Sequence, residues 1–129
     1  MKYIFYLAII ISTLHAQNEY INQVLLLNEG ALDFNTNEVI EPVKIGKYNP
    51  SSNTYETIIQ IDNVDFATDI VINEDYFLVA ADNKIMKYHL DTYLLMDSIN
   101  IPGVRKMCVF NNNLFVTKGD YDPVSFGPV

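Results

Sequence analysis

Acidic loops are the first features of this sequence that could do chemistry. Two groups of oxygen-bearing side chains stand close together: Asp120 with Asp122, and Asp62 with Asn63 and Asp65. Oxygen-rich loops of this kind can bind calcium. Neither group has the spacing of a complete calcium-binding loop, and Asp and Asn are equally typical of turns. We therefore interpret both groups as turn residues and predict no metal site and no cofactor.

Nucleophilic catalysis would depend on His89 or Cys108. A Ser-His-Asp hydrolase needs a histidine base, and His89 is the only histidine after residue 16. It follows a predicted strand, where a turn residue is expected. Cys108 is the single cysteine, so no internal disulfide can form, and its apolar run, residues 106–110, predicts a buried and inert thiol. We predict no catalytic residue in this chain.

A repeated sequence motif, called the repeated word below, indicates which secondary-structure elements carry the candidate functional residues. Lys44 to Tyr48 reads Lys-Ile-Gly-Lys-Tyr, and forty residues later Lys84 to Tyr88 reads Lys-Ile-Met-Lys-Tyr. A Thr-Tyr pair follows each copy. A period near forty residues indicates a repeat architecture. Four tyrosines recur with the word, and we expect them to pack in the core or between repeats: Tyr48, Tyr55, Tyr88 and Tyr93.

One complete repeat unit can be assigned as four short strands rich in Val, Ile, Leu, Phe and Tyr, separated by Asn and Asp turns. The predicted strands are Thr68 to Ile72, Tyr76 to Ala81, Lys84 to Tyr88, and Tyr93 to Ile101. The second of these is apolar at every position, which predicts burial on both faces. Asp82 and Asn83 form a tight turn of the kind that tolerates a positive φ.

Partial copies flank this unit. Upstream, three strands match the second, third and fourth: Val24 to Leu27, Val43 to Tyr48, and Thr57 to Ile61, with residues 31–42 as an insertion. Downstream, Arg105 to Val109 and Leu114 to Thr117 match the first two strands at an offset of 37. Four antiparallel strands in about forty residues is the size of a β-propeller blade. We predict an all-β fold of such blades in an incomplete ring, with a small β-sandwich as the competing architecture.

Several phrases resemble a known group. These phrases are residues 24–30, the run Lys47-Tyr48-Asn49-Pro50 followed by Thr54-Tyr55, and the stretch from Phe66 to Ile85. They look like blades of the bacterial surface-layer-type propellers of the YncE-like, YVTN-repeat group, over most of residues 24–120. The resemblance implies a WD40-like propeller whose ring closes by pairing strands from the two chain ends. The insertion at residues 31–42 departs from that pattern.

Strand alternation places one set of loops together. The loops from second to third strands and from fourth strands to the next first strand share one end of the blades. Because loops carry function more often than the scaffold does, we predict ligand contacts at this loop face from six charged residues: Glu29, Asp65, Asp82, Arg105, Lys118 and Asp120. The partner expected there is a protein, a glycan or a small ligand.

The N-terminal segment and the net charge indicate where the protein acts and which partners are disfavoured. Residues 1–16 have one lysine, an apolar run and a cleavage-like region that ends in Ala16, which is typical of an export signal cut after Ala16. Residues 17–129 then form a partial propeller of about two to two and a half blades. The net charge is −8, which disfavours nucleic acid as a partner and an anionic membrane surface. We expect no membrane span after residue 16.

Three functional hypotheses follow. The first is an exported, non-enzymatic propeller segment that acts as a binding scaffold at the cell surface or in the periplasm. The second is the N-terminal part of a propeller lyase or hydrolase whose catalytic residues lie beyond Val129. The third is self-association of the chain through its exposed strand edges.

Overall fold

The structure is a computed structural model, which describes residues 23–119. This part of the chain is all-β: antiparallel strands joined by turns, with no helix among the described residues. The strands are β1 (Val24–Asn28), β2 (Ala31–Asp33), β3 (Glu38–Glu41), β4 (Val43–Asn49), β5 (Thr54–Ile61), β6 (Ala67–Asn73), β7 (Tyr76–Ala81), β8 (Lys84–His89), β9 (Leu95–Asn100), β10 (Val104–Phe110) and β11 (Asn113–Lys118). The described part therefore has no helix that could cross a membrane.

Besides the small β2–β3 hairpin, three sheets follow one another along the described part of the chain. The first sheet has the order β1-β4-β5, the second has the order β6-β7-β8-β9, and the third pairs β10 with β11. All pairings are antiparallel. The predicted sequence of three, four and two strands is confirmed, and the predicted strand limits agree with the observed ones to within a few residues.

The second sheet is packed on both of its faces. Phe77, Val79 and Ala81 of β7 lie in a cluster with Val43 and Ile45 of the first sheet. Alternate residues of β7 point the other way, so Leu78 and Ala80 lie in a second cluster with the third sheet, through Val104 and Met107. The prediction that this strand is buried on both faces is confirmed, because five of its residues are buried.

The insertion after β1 contains an element that the sequence interpretation missed. Residues 31–42 hold a small hairpin, β2 paired with β3. The Asp33 carboxylate accepts a hydrogen bond of 2.8 Å from the backbone N–H of Asn35, and Asn37 adopts a φ of 59°. Asn tolerates this left-handed conformation better than most residues. The hairpin exposes Phe34 and Ile40.

The recurring tyrosines divide into two kinds. Tyr88 is buried and stacks on Phe77 with ring centroids 5.3 Å apart, and Tyr93 packs against the same cluster. The packing prediction is wrong for Tyr55, which is 56% exposed. Its ring lies across Gly46, where a β-carbon would collide with it. This contact accounts for the glycine at position 46 in the first copy of the repeated word.

The prediction of a buried thiol is also wrong. Cys108 is exposed and lies opposite Phe115 across the β10–β11 pair. Val104 and Met107 on the same strand are buried against the second sheet. Cys108 points to the other face of the third sheet, and no described residue covers that face. An apolar strand indicated burial, but burial also requires a neighbouring sheet.

Candidate functional site

A cleft of about 1110 Å³ opens where the loops of the three sheets meet. Its lining comes from five separate parts of the chain: the loop after β1 with the start of the hairpin, the loop before β6, the β7–β8 turn, the loop before β10, and the end of β11. The residues are Glu29, Gly30, Ala31, Leu32, Phe34, Asp65, Phe66, Ala67, Thr68, Asp82, Asn83, Pro102, Gly103, Val104, Arg105, Lys118 and Gly119.

Five of the six predicted contact residues are brought together in this cleft. Glu29, Asp65, Asp82, Arg105 and Lys118 all line it. Asp120 lies outside the described residues, as do Asp122 and residues 1–16, for which an export signal was predicted. The loop alternation inferred from sequence is what gathers these residues, because each antiparallel strand reverses direction and returns every second loop to the same end.

Two bulges at equivalent positions turn side chains toward the cleft. The pairing of β6 with β7 passes from Ala67 to Asp69 while the partner strand advances by one residue, so Thr68 is the extra residue. The pairing of β10 with β11 likewise passes from Val104 to Lys106, so Arg105 is the extra residue there. A bulge re-aims the extra side chain. Thr68 and Arg105 are 37 residues apart, at the same position of successive repeats.

Backbone hydrogen bonds tie the loops of the cleft to one another. The N–H of Ala67 donates to the carbonyl of Glu29 over 2.9 Å, which links the first sheet's loop to the start of β6. Further along, the N–H of Gly119 donates to the carbonyl of Gly103 over 2.8 Å. Asn83 connects the second sheet to the third, since its carbonyl accepts from Ile101 N–H and its Oδ1 accepts from Gly103 N–H.

Asp82 is already engaged by the protein. Its carboxylate accepts hydrogen bonds from the backbone N–H groups of Asp65, at 3.0 and 3.2 Å, and of Phe66, at 3.1 Å. Its own N–H donates to the carbonyl of Phe66 over 3.0 Å. The predicted positive φ in this turn is confirmed for Asp82, at 49°. Asp82 therefore holds the loop before β6 in place, and it also belongs to the lining of the cleft.

The remaining charges divide by their position in the fold. Glu29 and Asp65 are exposed carboxylates on the loops around the first and second sheets. Arg105 and Lys118 belong to the third sheet, and the Arg105 side chain passes close to Gly119. The cleft thus has acidic groups toward the start of the chain and basic groups toward its end.

Thr68 and Phe34 are lining residues that the sequence interpretation did not select. Within residues 23–119, the Thr68 hydroxyl is buried and has no hydrogen-bond partner. Leaving a buried hydroxyl unpaired costs about 1–3 kcal/mol. Phe34, at the tip of the hairpin, is 81% exposed. Asn35 and Asn37 are turn-forming residues between two short runs, and that turn composition was the one signal for the hairpin.

His89 lies at the end of β8, and strand alternation puts its turn at the opposite end of the sheet from the cleft. Its Nδ1 accepts hydrogen bonds from the backbone N–H groups of Asp91, at 3.1 Å, and Thr92, at 3.4 Å. This is the turn role that the sequence predicted. In the part of the chain that the structure describes, no three His, Cys, Asp or Glu side chains are grouped to hold a metal ion.

The lining residues and their hydrogen bonds are the features that describe the cleft. Comparison of the chain with protein-family models, with curated proteins and with solved structures finds no match.

Proposed function

We propose that this protein is a binding scaffold that takes a ligand into the cleft at its loop face. The observation that carries the proposal is the convergence of charged residues from separate loops on one cleft. The loops are fixed to one another by backbone hydrogen bonds. Preorganised loops bind with a smaller entropy cost than mobile ones, so this arrangement suits recognition.

The chemistry of the cleft favours a ligand that carries both signs of charge. Glu29 and Asp65 can pair with a cationic group, and Arg105 and Lys118 with an anionic one, since opposite charges at such a site attract and like charges repel. Phe34 and Phe66 add aromatic surface. A volume of about 1110 Å³ slightly exceeds the range of about 300–1,000 Å³ for ordinary small-molecule pockets, which suits an extended ligand such as a peptide segment.

Labelled peptides test this proposal. Three peptides of equal length are compared by fluorescence anisotropy: one with lysines and glutamates at opposite ends, one with only lysines, and one with only glutamates. We expect the mixed peptide to bind most tightly, and its affinity to fall as salt is added. Lys118→Gln should weaken binding several-fold, because it removes one cation from the cleft.

Lys47→Gln is the matched control, because Lys47 belongs to the first sheet and does not line the cleft. It should leave the affinity unchanged. Equal effects of the two lysine substitutions, or equal binding of all three peptides, would contradict recognition by the cleft charges.

We also propose that the three sheets are successive blades of a propeller, of the YncE-like, YVTN-repeat kind that the sequence resembles. Support comes from their shared strand order, from the burial of the second sheet on both faces and from the position of the cleft at one loop end. An experimental structure of the full protein checks this: sheets arranged around a common axis are expected, and a sandwich of two sheets would refute it.

We further propose that residues 1–16 direct export, because this segment has an apolar run followed by a cleavage-like region that ends in Ala16. Cell fractionation followed by N-terminal sequencing measures it directly. We expect the protein outside the cytoplasm with Gln17 as its first residue. Recovery of the intact N-terminus in the cytoplasm would count against export.

A further inference from the structure

The first and third sheets each leave one face uncovered by the described residues, whereas the second sheet is covered on both. The uncovered face of the third sheet carries Cys108, Phe110 and Phe115, all exposed. The uncovered face of the first sheet carries Val24 and Leu26, which are 38% and 46% exposed. Exposed apolar groups of this kind commonly mark interaction surfaces.

The repeat shows what kind of surface the third sheet presents. Phe115 lies 37 residues after Leu78, at the equivalent position of its repeat. Leu78 is only 6% exposed because the third sheet covers it, whereas Phe115 is 56% exposed. Cys108 is equivalent to Val71 in the same way, and Val71 packs in that buried cluster. The open face of the third sheet therefore corresponds to a face that another sheet covers in the second repeat.

The first sheet presents the other half of the same contact. Val24 pairs with Tyr48 as Phe77 pairs with Tyr88, so Val24 is equivalent to Phe77 and, two residues on, Leu26 is equivalent to Val79. Phe77 and Val79 are fully buried against the first sheet. The open face of the first sheet thus corresponds to the face by which the second sheet packs on its predecessor.

We propose that a second copy of this chain covers these surfaces, with the open face of its first sheet stacked on the open face of the third sheet. The two faces are the complementary halves of a contact that the chain already makes twice within itself, between the first and second sheets and between the second and third. Because the halves are different surfaces, the contact is head to tail and leaves a free half on each copy. It can therefore continue into rings or filaments.

Substitutions that place a charge on one half at a time test the proposal in the full chain. Sedimentation velocity over a range of concentrations should show species larger than a monomer. Phe115→Glu and Leu26→Glu should each give a monomer, because a carboxylate would be buried without a partner at the contact. Leu95→Glu is the matched control, since Leu95 is 53% exposed on the outer strand β9, and it should assemble as the unchanged chain does.

Mixing the two blocked variants gives the decisive measurement. The Phe115→Glu chain keeps an intact first sheet and the Leu26→Glu chain keeps an intact third sheet, so the mixture should form one-to-one pairs and nothing larger. Pair formation also shows that both variants are folded. Cys108 provides a second measurement, since a thiol reagent should label it at least several-fold more slowly in the assembled chain than in the Leu26→Glu monomer.

Other outcomes would overturn the proposal. A chain that stays monomeric at every concentration would refute assembly. This holds whether Cys108 then reacts with the thiol reagent or is protected by residues of its own chain outside 23–119. Assembly that survives both substitutions would place the contact elsewhere. A mixture of the two variants that remains monomeric would exclude a head-to-tail contact and favour a symmetric one.

Discussion

The carboxylate of Asp69 on β6 accepts a hydrogen bond of 2.7 Å from the backbone N–H of Met107 on β10. This bond joins the second sheet to the third. Lys106 strengthens the junction, since its Nζ lies 2.8 Å from the carbonyl of Thr68 and 3.4 Å from the Asp69 carboxylate. A charged acceptor makes a stronger hydrogen bond than a neutral one, so the Asp69 carboxylate is one of the groups that hold the two sheets together.

Removing the Asp69 carboxylate should weaken that junction. Met107 is buried, so Asp69→Ala leaves its N–H without an acceptor, and we expect the free energy of unfolding to fall by about 1–3 kcal/mol. Asp69→Asn keeps one acceptor oxygen and should cost less. Urea unfolding followed by circular dichroism measures both variants. Asp97→Ala, on the exposed strand β9, is the control, and equal stability of all variants would refute the role of Asp69.

The Asp82 carboxylate should contribute to stability through the loop that it holds. Asp82→Ala removes the acceptor of the Asp65 and Phe66 N–H groups. We expect a loss of about 1–3 kcal/mol in the free energy of unfolding. Hydrogen exchange should accelerate at these two amides more than elsewhere. Exchange that stays slow at both would show that the loop holds its conformation without Asp82.

Gly103 should not tolerate a side chain. Its φ is 74°, and a β-carbon there would lie 2.5 Å from the carbonyl oxygen of Gly119. Gly103→Ala should therefore destabilise the protein by about 1–3 kcal/mol. Gly119→Ala is the matched comparison, because the atoms nearest to a β-carbon at Gly119 belong to the Arg105 side chain, with its Nε at 3.1 Å. A flexible side chain can move, so we expect a change within about 0.5 kcal/mol. Equal costs at the two glycines would contradict this account.

Tyr88 should make the fold sensitive to high pH. Burial raises the pKa of its phenol above the ordinary value of 10.0. The folded state therefore holds this proton to a higher pH than the unfolded state does. The resulting stability is fully present below the ordinary pKa and is lost as the pH rises through the raised one.

Urea midpoints from about pH 9 to about pH 11 measure this effect. They should fall for the unchanged protein and fall less steeply for Tyr88→Phe, which keeps the ring that stacks on Phe77. Tyr55→Phe, at an exposed ring, serves as the control and should follow the unchanged protein. An identical slope for Tyr88→Phe would show that this phenol does not govern alkaline stability.

The sequence alone predicted correctly those features that depend on the pattern of residues along the chain. The continuous apolar run of β7 predicted burial on both faces, and strand alternation predicted that Glu29 and Arg105 would lie at one loop face, where both line the cleft. It failed where the answer depends on a distant partner. Cys108 needs a covering sheet to be buried. In the sequence, Asp69 looks like an ordinary exposed strand residue. Its role depends on the neighbouring sheet, which places the Met107 N–H beside its carboxylate.

The bulges at Thr68 and Arg105 have an evolutionary consequence. Each places one side chain of a duplicated unit in the cleft and outside the packing between sheets. A mutation there can change the chemistry offered to a ligand while the core residues stay as they are. Thr68 and Arg105 already differ in this way, since the Thr68 hydroxyl is buried whereas Arg105 brings a cation to the lining of the cleft. Gene duplication in such a chain therefore multiplies positions at which binding specificity can diverge at little cost to folding.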